Sequence, residues 1–199
     1  TVGAVPYNST TPNGMGRIVL KKNDNFKQVV EAQTDGNTIF VIRYDYTLTG
    51  NVTVPANCIL EFDGGSISAG SGENMNTITG NYTAIEANLV KIFDSSIILN
   101  GKWRVPEGYP EWFGAKGDGV RLNGYDIPTA SGTDDTLAIR ACIRAFDTTV
   151  LQQSKLYMVN TVDENGRILI LPKWHSIIGK GGTPGYSNNQ YLCGIKTEN

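Results

Sequence analysis

Glu111-Trp112-Phe113-Gly114-Ala115-Lys116-Gly117-Asp118-Gly119-Val120, followed by Thr133-Asp134-Asp135-Thr136-Leu137-Ala138-Ile139-Arg140-Ala141, is the most telling pair of strings in the chain. It joins an aromatic anchor, a glycine-rich turn, a double aspartate and a short apolar segment. Gly114, Gly117 and Gly119 permit the positive-φ geometry of a tight turn. Thr133, Asp134 or Asp135 can cap a helix by accepting its orphan N–H groups, and negative charge suits the positive end of the helix dipole. Leu137, Ala138, Ala141, Cys142, Ala145 and Phe146 fall at helical spacings, which predicts a helix near 134–146 with one buried, small-residue face. Gly114, Gly117, Asp118, Gly119, Asp134, Asp135 and Thr136 are read as a structural cap motif, with the double aspartate as cap and turn ligand and no residue assigned to catalysis.

The two halves, Phe113 to Val120 and Thr133 to Ala141, resemble the opening motif of the pectate-lyase-like superfamily, which typically runs FGAKGDG-(V/I)-TDDT-x-A-I-x-x-A. Here they are separated by Arg121 to Gly132, an insertion the usual spacing lacks. The resemblance implies an all-β fold, a right-handed parallel β-helix, whose first coil is shielded by the capping helix. It is nearly silent on chemistry, because lyases, hydrolases and phage tailspikes share the motif. A second resemblance covers the first hundred residues. Pro12-Asn13-Gly14-Met15-Gly16-Arg17-Ile18-Val19-Leu20-Lys21-Lys22-Asn23 is similar to the lead of appendage proteins of Bacteroides phages and their prophages, crAss-like phages among them. So are Asn37 to Tyr46, Pro55 to Ile67, and Tyr109-Pro110-Glu111-Trp112.

Composition narrows the field. At 199 residues the chain holds one ordinary domain or two small ones, and Gly 23 and Pro 8 with 18% charged residues suit a turn-rich β protein. A net charge of −2 and a pI near 5.4 give no reason to expect nucleic-acid binding. Lys21-Lys22 is the only basic doublet and reads as solvated surface. No apolar run approaches the ~18 residues of a membrane span. The chain opens on Thr1 with no charged-then-apolar leader, which leads to the expectation of processing, or of a piece of a longer protein. Cys58, Cys142 and Cys193 are far apart and lack C-x-x-C spacing, so they read as small buried hydrophobes. Asn8, Asn51 and Asn81 begin N-x-S/T triplets that chance explains in so Asn- and Thr-rich a chain.

Residues 1–16 lack periodicity and read as an extended arm that orders against a partner. Ile18 to Leu20 reads as a short strand and Asp24 to Ala32 as a short helix. Strands are predicted at Ile39 to Arg43, Val52 to Val54, Cys58 to Phe62, Ser66 to Ser68, Thr77 to Thr79, Thr83 to Ala87, Leu89 to Phe93 and Ser96 to Leu99. Short strands with such regular punctuation suit a sandwich, a barrel or a solenoid. The run Val54-Pro55-Ala56-Asn57-Cys58-Ile59-Leu60 returns as Leu171-Pro172-Lys173-Trp174-His175-Ser176-Ile177, which favours a stacked coil. Leu156 to Val159 makes another strand, and Ile168 to Gly179 two more around Pro172. A loose loop over Gly179 to Gln190 follows, and the sequence is expected to stop inside a longer solenoid.

Few residues point to catalytic or ligand chemistry. His175 is the only histidine and has no nucleophile motif nearby. Gly179-Lys180-Gly181-Gly182-Thr183 fails both phosphate-loop spacings. Asp118, Asp126, Asp134 and Asp135 miss the EF-hand order, so neither a metal nor any cofactor is assigned. Trp103, Tyr109, Trp112, Trp174 and Tyr186 could stack on sugars, with Trp112 read as a core anchor and Tyr186 and Tyr191 as candidates for exposure. The resemblances then imply three parts: an arm over 1–16, a virion-attachment region over 17–110, and the start of a β-helix over 111–199. The implied function is that of a structural virion protein, the N-terminal part of a tailspike or fibre. Its implied partners are two further copies in a homotrimer, other tail or head proteins reached through the arm, and a host-surface polysaccharide met by a C-terminal part. The alternative is a secreted or cell-surface polysaccharide lyase or glycoside hydrolase of a gut bacterium.

Overall fold

The computed structural model describes residues 15–121, 130–180 and 193–196. The chain divides into two compact units, Thr1–Val105 and Pro106–Asn199. The first contains β1 (Gly16–Val19), α1 (Phe26–Glu31), β2 (Thr38–Ile42), β3 (Tyr46–Thr47), β4 (Val52–Thr53), β5 (Ile59–Phe62), β6 (Ile67–Ser68), β7 (Thr77–Glu86) and β8 (Ile98–Trp103). Every pairing among these strands is parallel, and none is a hairpin. β1, β2, β5 and the second half of β7 form one parallel ladder, and β4, the first half of β7 and β8 form another. β3 and β6 form a third, extended by a bridge between Ile67 and Phe93. Ile39 pairs with Ile59 and Ile59 with Ala84, so each circuit of the chain lays a strand beside one from the circuit before. The result is mostly β, parallel sheets wound as a solenoid of about 4 turns with few helices.

The core is built from the inward members of these strands. Phe40 stacks on Leu60, Ile67 lies between Tyr46 and Phe93, and Ile78 between Val52 and Leu99, all of them buried. Each such side chain contributes roughly 1.5–3 kcal/mol of burial energy. β5 shows the period of two that a strand imposes, with Leu60 and Phe62 inside and Ile59 and Glu61 half out. β2 departs from it, being buried along its whole length. Arg17, the neighbour of Ile39, reaches across to Glu61, the neighbour of Val41, in a two-pronged pair of 2.6 and 2.7 Å.

The corners explain the punctuation. Asn37, Asn57 and Tyr82 stand at matching positions on successive turns and take φ of 48°, 58° and 54°. Asparagine tolerates this left-handed geometry better than most residues. The corner amides stay in register, Asn37 N–H donating to Ala56 O and Asn57 N–H to Asn81 O, both at 2.9 Å. Helix α1 begins with Asn25, whose side chain accepts from Gln28 N–H, and it packs on β4. Glu31 accepts the Thr53 N–H at 3.0 Å, and Lys27 donates to Asn51 O at 2.6 Å. Side chains of the helix thus satisfy an edge of β4 that would otherwise be open.

Some sequence expectations for this unit need correction. Thr77 to Thr79 and Thr83 to Ala87 are one strand, whose register shifts between Asn81 and Thr83 as it passes from one ladder to another. Leu89 to Phe93 forms no strand: only Phe93 bridges, while Leu89 and Val90 are 45% and 54% exposed. β3 was not foreseen, since two residues show no alternation.

The second unit contains a 3-10 turn (Pro110–Phe113), β9 (Val120–Arg121), β10 (Ala130–Ser131), α2 (Thr136–Ala145), β11 (Thr148–Leu151), β12 (Lys155–Met158), β13 (Ser176–Gly179) and β14 (Cys193–Lys196). β11 pairs parallel with β13 and β12 with β14. Parallel bridges Gly108–Thr149 and Asp118–Leu156 add a preceding rung to each ladder. β9 and β10 pair antiparallel and bring the two ends of the insertion together.

Helix α2 packs on the 3-10 turn and β11. Trp112 meets Tyr109 and Phe146 edge-on, with ring centroids 5.0 and 5.9 Å apart. The buried helix face is Ala138, Ile139, Ala141, Cys142 and Ile143. Leu137, placed inside by its spacing, is 56% exposed, because the face is rotated so that Leu137 lines up with Arg140 and Arg144. β11 was missed. Ile168 to Leu171 is no strand either, and Ile170 and Leu171 are more than half exposed. The turn at Pro172 does lead into β13, and Trp174 there takes φ 71°, repeating the Asn57 corner. Among the described residues no helix is long and apolar enough to cross a membrane. Most of the arm and of the Gly179 to Gln190 loop, and Asp126, Tyr186 and Tyr191, lie outside the described residues.

Candidate functional site

The motif residues converge where the 3-10 turn, the glycine turn and α2 meet. The 3-10 turn stops on Gly114 at φ 97°, whose N–H returns to Glu111 O at 3.0 Å. Gly117 follows at φ 57°, so close to β12 that a Cβ there would lie 2.8 Å from that of Lys155. Asp135 holds this turn in place: its two oxygens accept the N–H groups of Lys116 and Gly117 at 2.7 and 3.0 Å. It stands at the N-cap position of α2 yet makes no cap bond to that helix. Asp134 does so, accepting the Thr136 N–H at 3.0 Å together with the Thr136 hydroxyl. It also accepts the Asn160 N–H at 3.2 Å and the Thr161 hydroxyl, tying the start of α2 to the chain beyond β12. Asp118 accepts the Thr133 N–H at 2.7 Å and its hydroxyl at 2.9 Å, closing the mouth of the insertion.

Electrostatics follow from these bonds. Burial pushes the Asp134 carboxyl upward, but the Thr136, Thr161 and Asn160 donors outweigh it and hold the group at about 2. The donors of Thr133 likewise hold Asp118 below the usual carboxylate range. Asp135, 2% exposed, is pushed up: burial prevails over its two amide donors, and Asp118 and Glu111 add negative charge nearby.

A fourth carboxylate was not singled out from the sequence. Glu111 is 2% exposed and receives Lys155 Nζ at 2.9 Å and the Tyr157 hydroxyl on one oxygen. Tyr157 accepts the Gln152 N–H at 3.1 Å, and burial followed by the Glu111 bond pushes its phenol far up, so it remains a donor. The second oxygen of Glu111 is buried without a hydrogen-bond partner, alone among the oxygens of these four carboxylates. The signal available in the sequence was one charge set inside Tyr109-Pro110-Glu111-Trp112-Phe113, where a buried, paired acid is the economical reading.

Hydrolysis of a sugar linkage needs two carboxylates facing one cleft, one of them free to pass a proton. Here both oxygens of Asp118, Asp134 and Asp135 accept from donors of the chain itself, and these bonds hold the turns. His175 Nε2 lies 3.1 Å from Thr149 Oγ1, which donates to Cys142 Sγ at 3.5 Å. Burial pushes the Cys142 thiol up to about 12, leaving it protonated and a poor nucleophile. Burial also lowers the affinity of His175 for a proton. No group of three or more His, Cys, Asp or Glu is placed to hold a metal ion among the described residues. Arg140 straps the following loop to α2 through the carbonyls of Ile168, Thr161 and Arg167 at 2.7, 2.8 and 2.7 Å. Beside it a pocket of about 360 Å³ is lined by Arg140, Ile143, Arg144, Asp163, Ile170 and Pro172.

The aromatic candidates separate. Trp112 is buried, Tyr109 and Trp103 are half-buried, and Trp174 is 85% exposed. No known protein family, curated protein or solved structure matches the chain. What stands is the fold class: a mostly β chain of stacked parallel strands with solenoid character.

Proposed function

We propose that the chain is a structural virion protein, the N-terminal part of a phage tailspike or fibre that attaches the appendage to the particle. In this reading residues 17–110 dock on the virion, 111–199 begin a right-handed β-helix capped by α2, three copies assemble, and glycan binding or degradation falls to a C-terminal part. The observation that carries it is the double-aspartate junction. Its carboxylates hold turns and helix ends instead of facing a cleft, as a scaffold requires and a depolymerase site does not. The short stacked rungs of both units agree with it.

Antibody raised against the chain tests the assignment by electron microscopy of particles from the source culture. Label at the base of a virion appendage is the expected result. Label restricted to bacterial surfaces or culture medium would favour the secreted polysaccharide enzyme instead. Light scattering tests assembly, a mass three times that of the chain being expected and a monomer at every concentration refuting the trimer.

A further inference from the structure

Asn37, Asn57 and Trp174 stand just before a ladder strand and Tyr82 at the register shift within β7, with φ of 48°, 58°, 71° and 54° respectively. At this corner the side chain faces solvent. Both asparagines are exposed, Tyr82 is 48% exposed and Trp174 is 85% exposed. Left-handed backbone admits asparagine readily and a bulky ring with difficulty. The two aromatics therefore occupy corners where asparagine folds more easily, and they project their rings into water.

Each ring carries a cation. Lys102 Nζ lies 5.0 Å from the Tyr82 centroid and donates to its hydroxyl at 3.2 Å, while Arg104 Nε donates to Tyr82 O at 2.8 Å. Lys173 Nζ lies 5.2 Å from the Trp174 centroid. Among the described residues none of these three cations is paired with a carboxylate.

An exposed ring with an unneutralised cation held against it, and its other face open to water, fits one kind of ligand well. The C–H face of a sugar ring packs on the electron-rich aromatic face, and a carboxylate on that sugar takes a charge-assisted bond from lysine or arginine. A nucleic acid fits less well. It presents a charge at every nucleotide and needs a broad basic surface, which a chain of net charge −2 with isolated cations does not offer. We infer that Tyr82 with Lys102 and Arg104, and Trp174 with Lys173, are two contact sites for an acidic polysaccharide. The inference stands on corner geometry and is independent of the appendage reading, which places glycan contact elsewhere.

Native gel electrophoresis of the full chain through sodium alginate, a polyuronate, tests it against neutral dextran and an oligothymidylate. Alginate should retard the chain and dextran should do so far less. Tyr82→Asn and Trp174→Asn should each weaken the alginate interaction, by roughly threefold to tenfold. Lys102→Gln with Arg104→Gln should do the same without touching a ring. Both asparagine variants should unfold thermally at or above the parent midpoint, because they relieve the corner. Several results would overturn the inference: no retardation by alginate, equal retardation by dextran, tighter binding of the oligothymidylate, or retention unchanged when both rings are replaced. A clearly lowered midpoint would also overturn it, by making the rings packing elements.

Discussion

Asp134→Asn keeps the shape of the side chain and removes its charge, which separates a scaffold role from a catalytic one. In the folded chain four donors converge on this carboxylate: the Thr136 N–H and hydroxyl, the Asn160 N–H and the Thr161 hydroxyl. Its pKa falls from an ordinary 3.8 to about 2. Taken at face value that shift is worth ~2.4 kcal/mol, but the residue is solvent-exposed, and screening reduces the contribution to about 1–1.5 kcal/mol. Because the folded value is the lower one, this stability is fully present above pH 3.8 and is lost as pH falls toward about 2. Urea unfolding followed by tryptophan fluorescence should show Asp134→Asn less stable than the parent by about 1–1.5 kcal/mol at pH 6. The gap should close near pH 2. Neighbouring Asp135 has the opposite linkage, its folded pKa being raised, so any stability it lends is greater in acid and declines as pH rises through that value. It is common to both proteins and drops out of the difference. A gap that is the same at both pH values would refute the reasoning. So would a variant as stable as the parent that has lost a polysaccharide-cleaving activity the parent displays.

Three further outcomes follow from the same geometry. Glu31→Gln leaves the Thr53 N–H with a neutral acceptor and breaks the pair with Lys27, and should cost about 1 kcal/mol in urea unfolding. Gly117→Ala places a methyl group 2.8 Å from Lys155 Cβ on backbone at φ 57°, and should cost about 2 kcal/mol or more by the same measurement. Replacing residues 122–129 with Asn-Gly joins the Arg121–Ala130 pair by the two-residue turn an antiparallel ladder prefers, and should move the thermal midpoint by no more than about 2 °C. A large fall there would mean that the insertion packs as structure.

The solenoid was legible wherever one strand contained its own alternation. Cys58 to Phe62 and Ile39 to Arg43 were found within a residue or two of β5 and β2, because inward Leu60 and Phe40 alternate with partly outward neighbours or sit in an unbroken apolar run. The corner at Pro55-Ala56-Asn57 was legible from turn chemistry alone. What failed depended on contacts with other turns. Leu89 and Val90 are as apolar as any strand, yet they lie outside the ladder and only Phe93 reaches it. Leu137 sits at a permissible helical spacing, and only packing against the 3-10 turn decides that Ile139 and Ile143 face inward in its place. At the junction the sequence named Asp118, Asp134 and Asp135 but not what they bind. Lys116, Asn160 and Thr161 are brought to them by tertiary structure. Glu111 escaped because its partners Lys155 and Tyr157 are distant in sequence.

A stacked coil of short strands has many corners, and at each corner a few backbone groups leave the ladder and need another partner. Short acidic and amide side chains are the cheapest source of one. Asn51 accepts the Thr77 N–H at 3.0 Å, Asp118 the Thr133 N–H, and Asp135 the amides of Lys116 and Gly117. The residue types that a motif search flags as catalytic are therefore the ones such a fold consumes in holding itself together. Proximity of carboxylates does not separate the two uses; the state of their oxygens does. Asp134 and Asp135 have both oxygens occupied, and their pKa values move in opposite directions for reasons of donors and burial, with no substrate required to explain either. Glu111 is the exception, with one oxygen buried and unbonded, but it is locked to Lys155 and Tyr157 and shut away from solvent. Tyr82 and Trp174 turn their rings outward at corners that asparagine would fill with less strain, and that is where the proposed recognition chemistry is placed, away from the double aspartate.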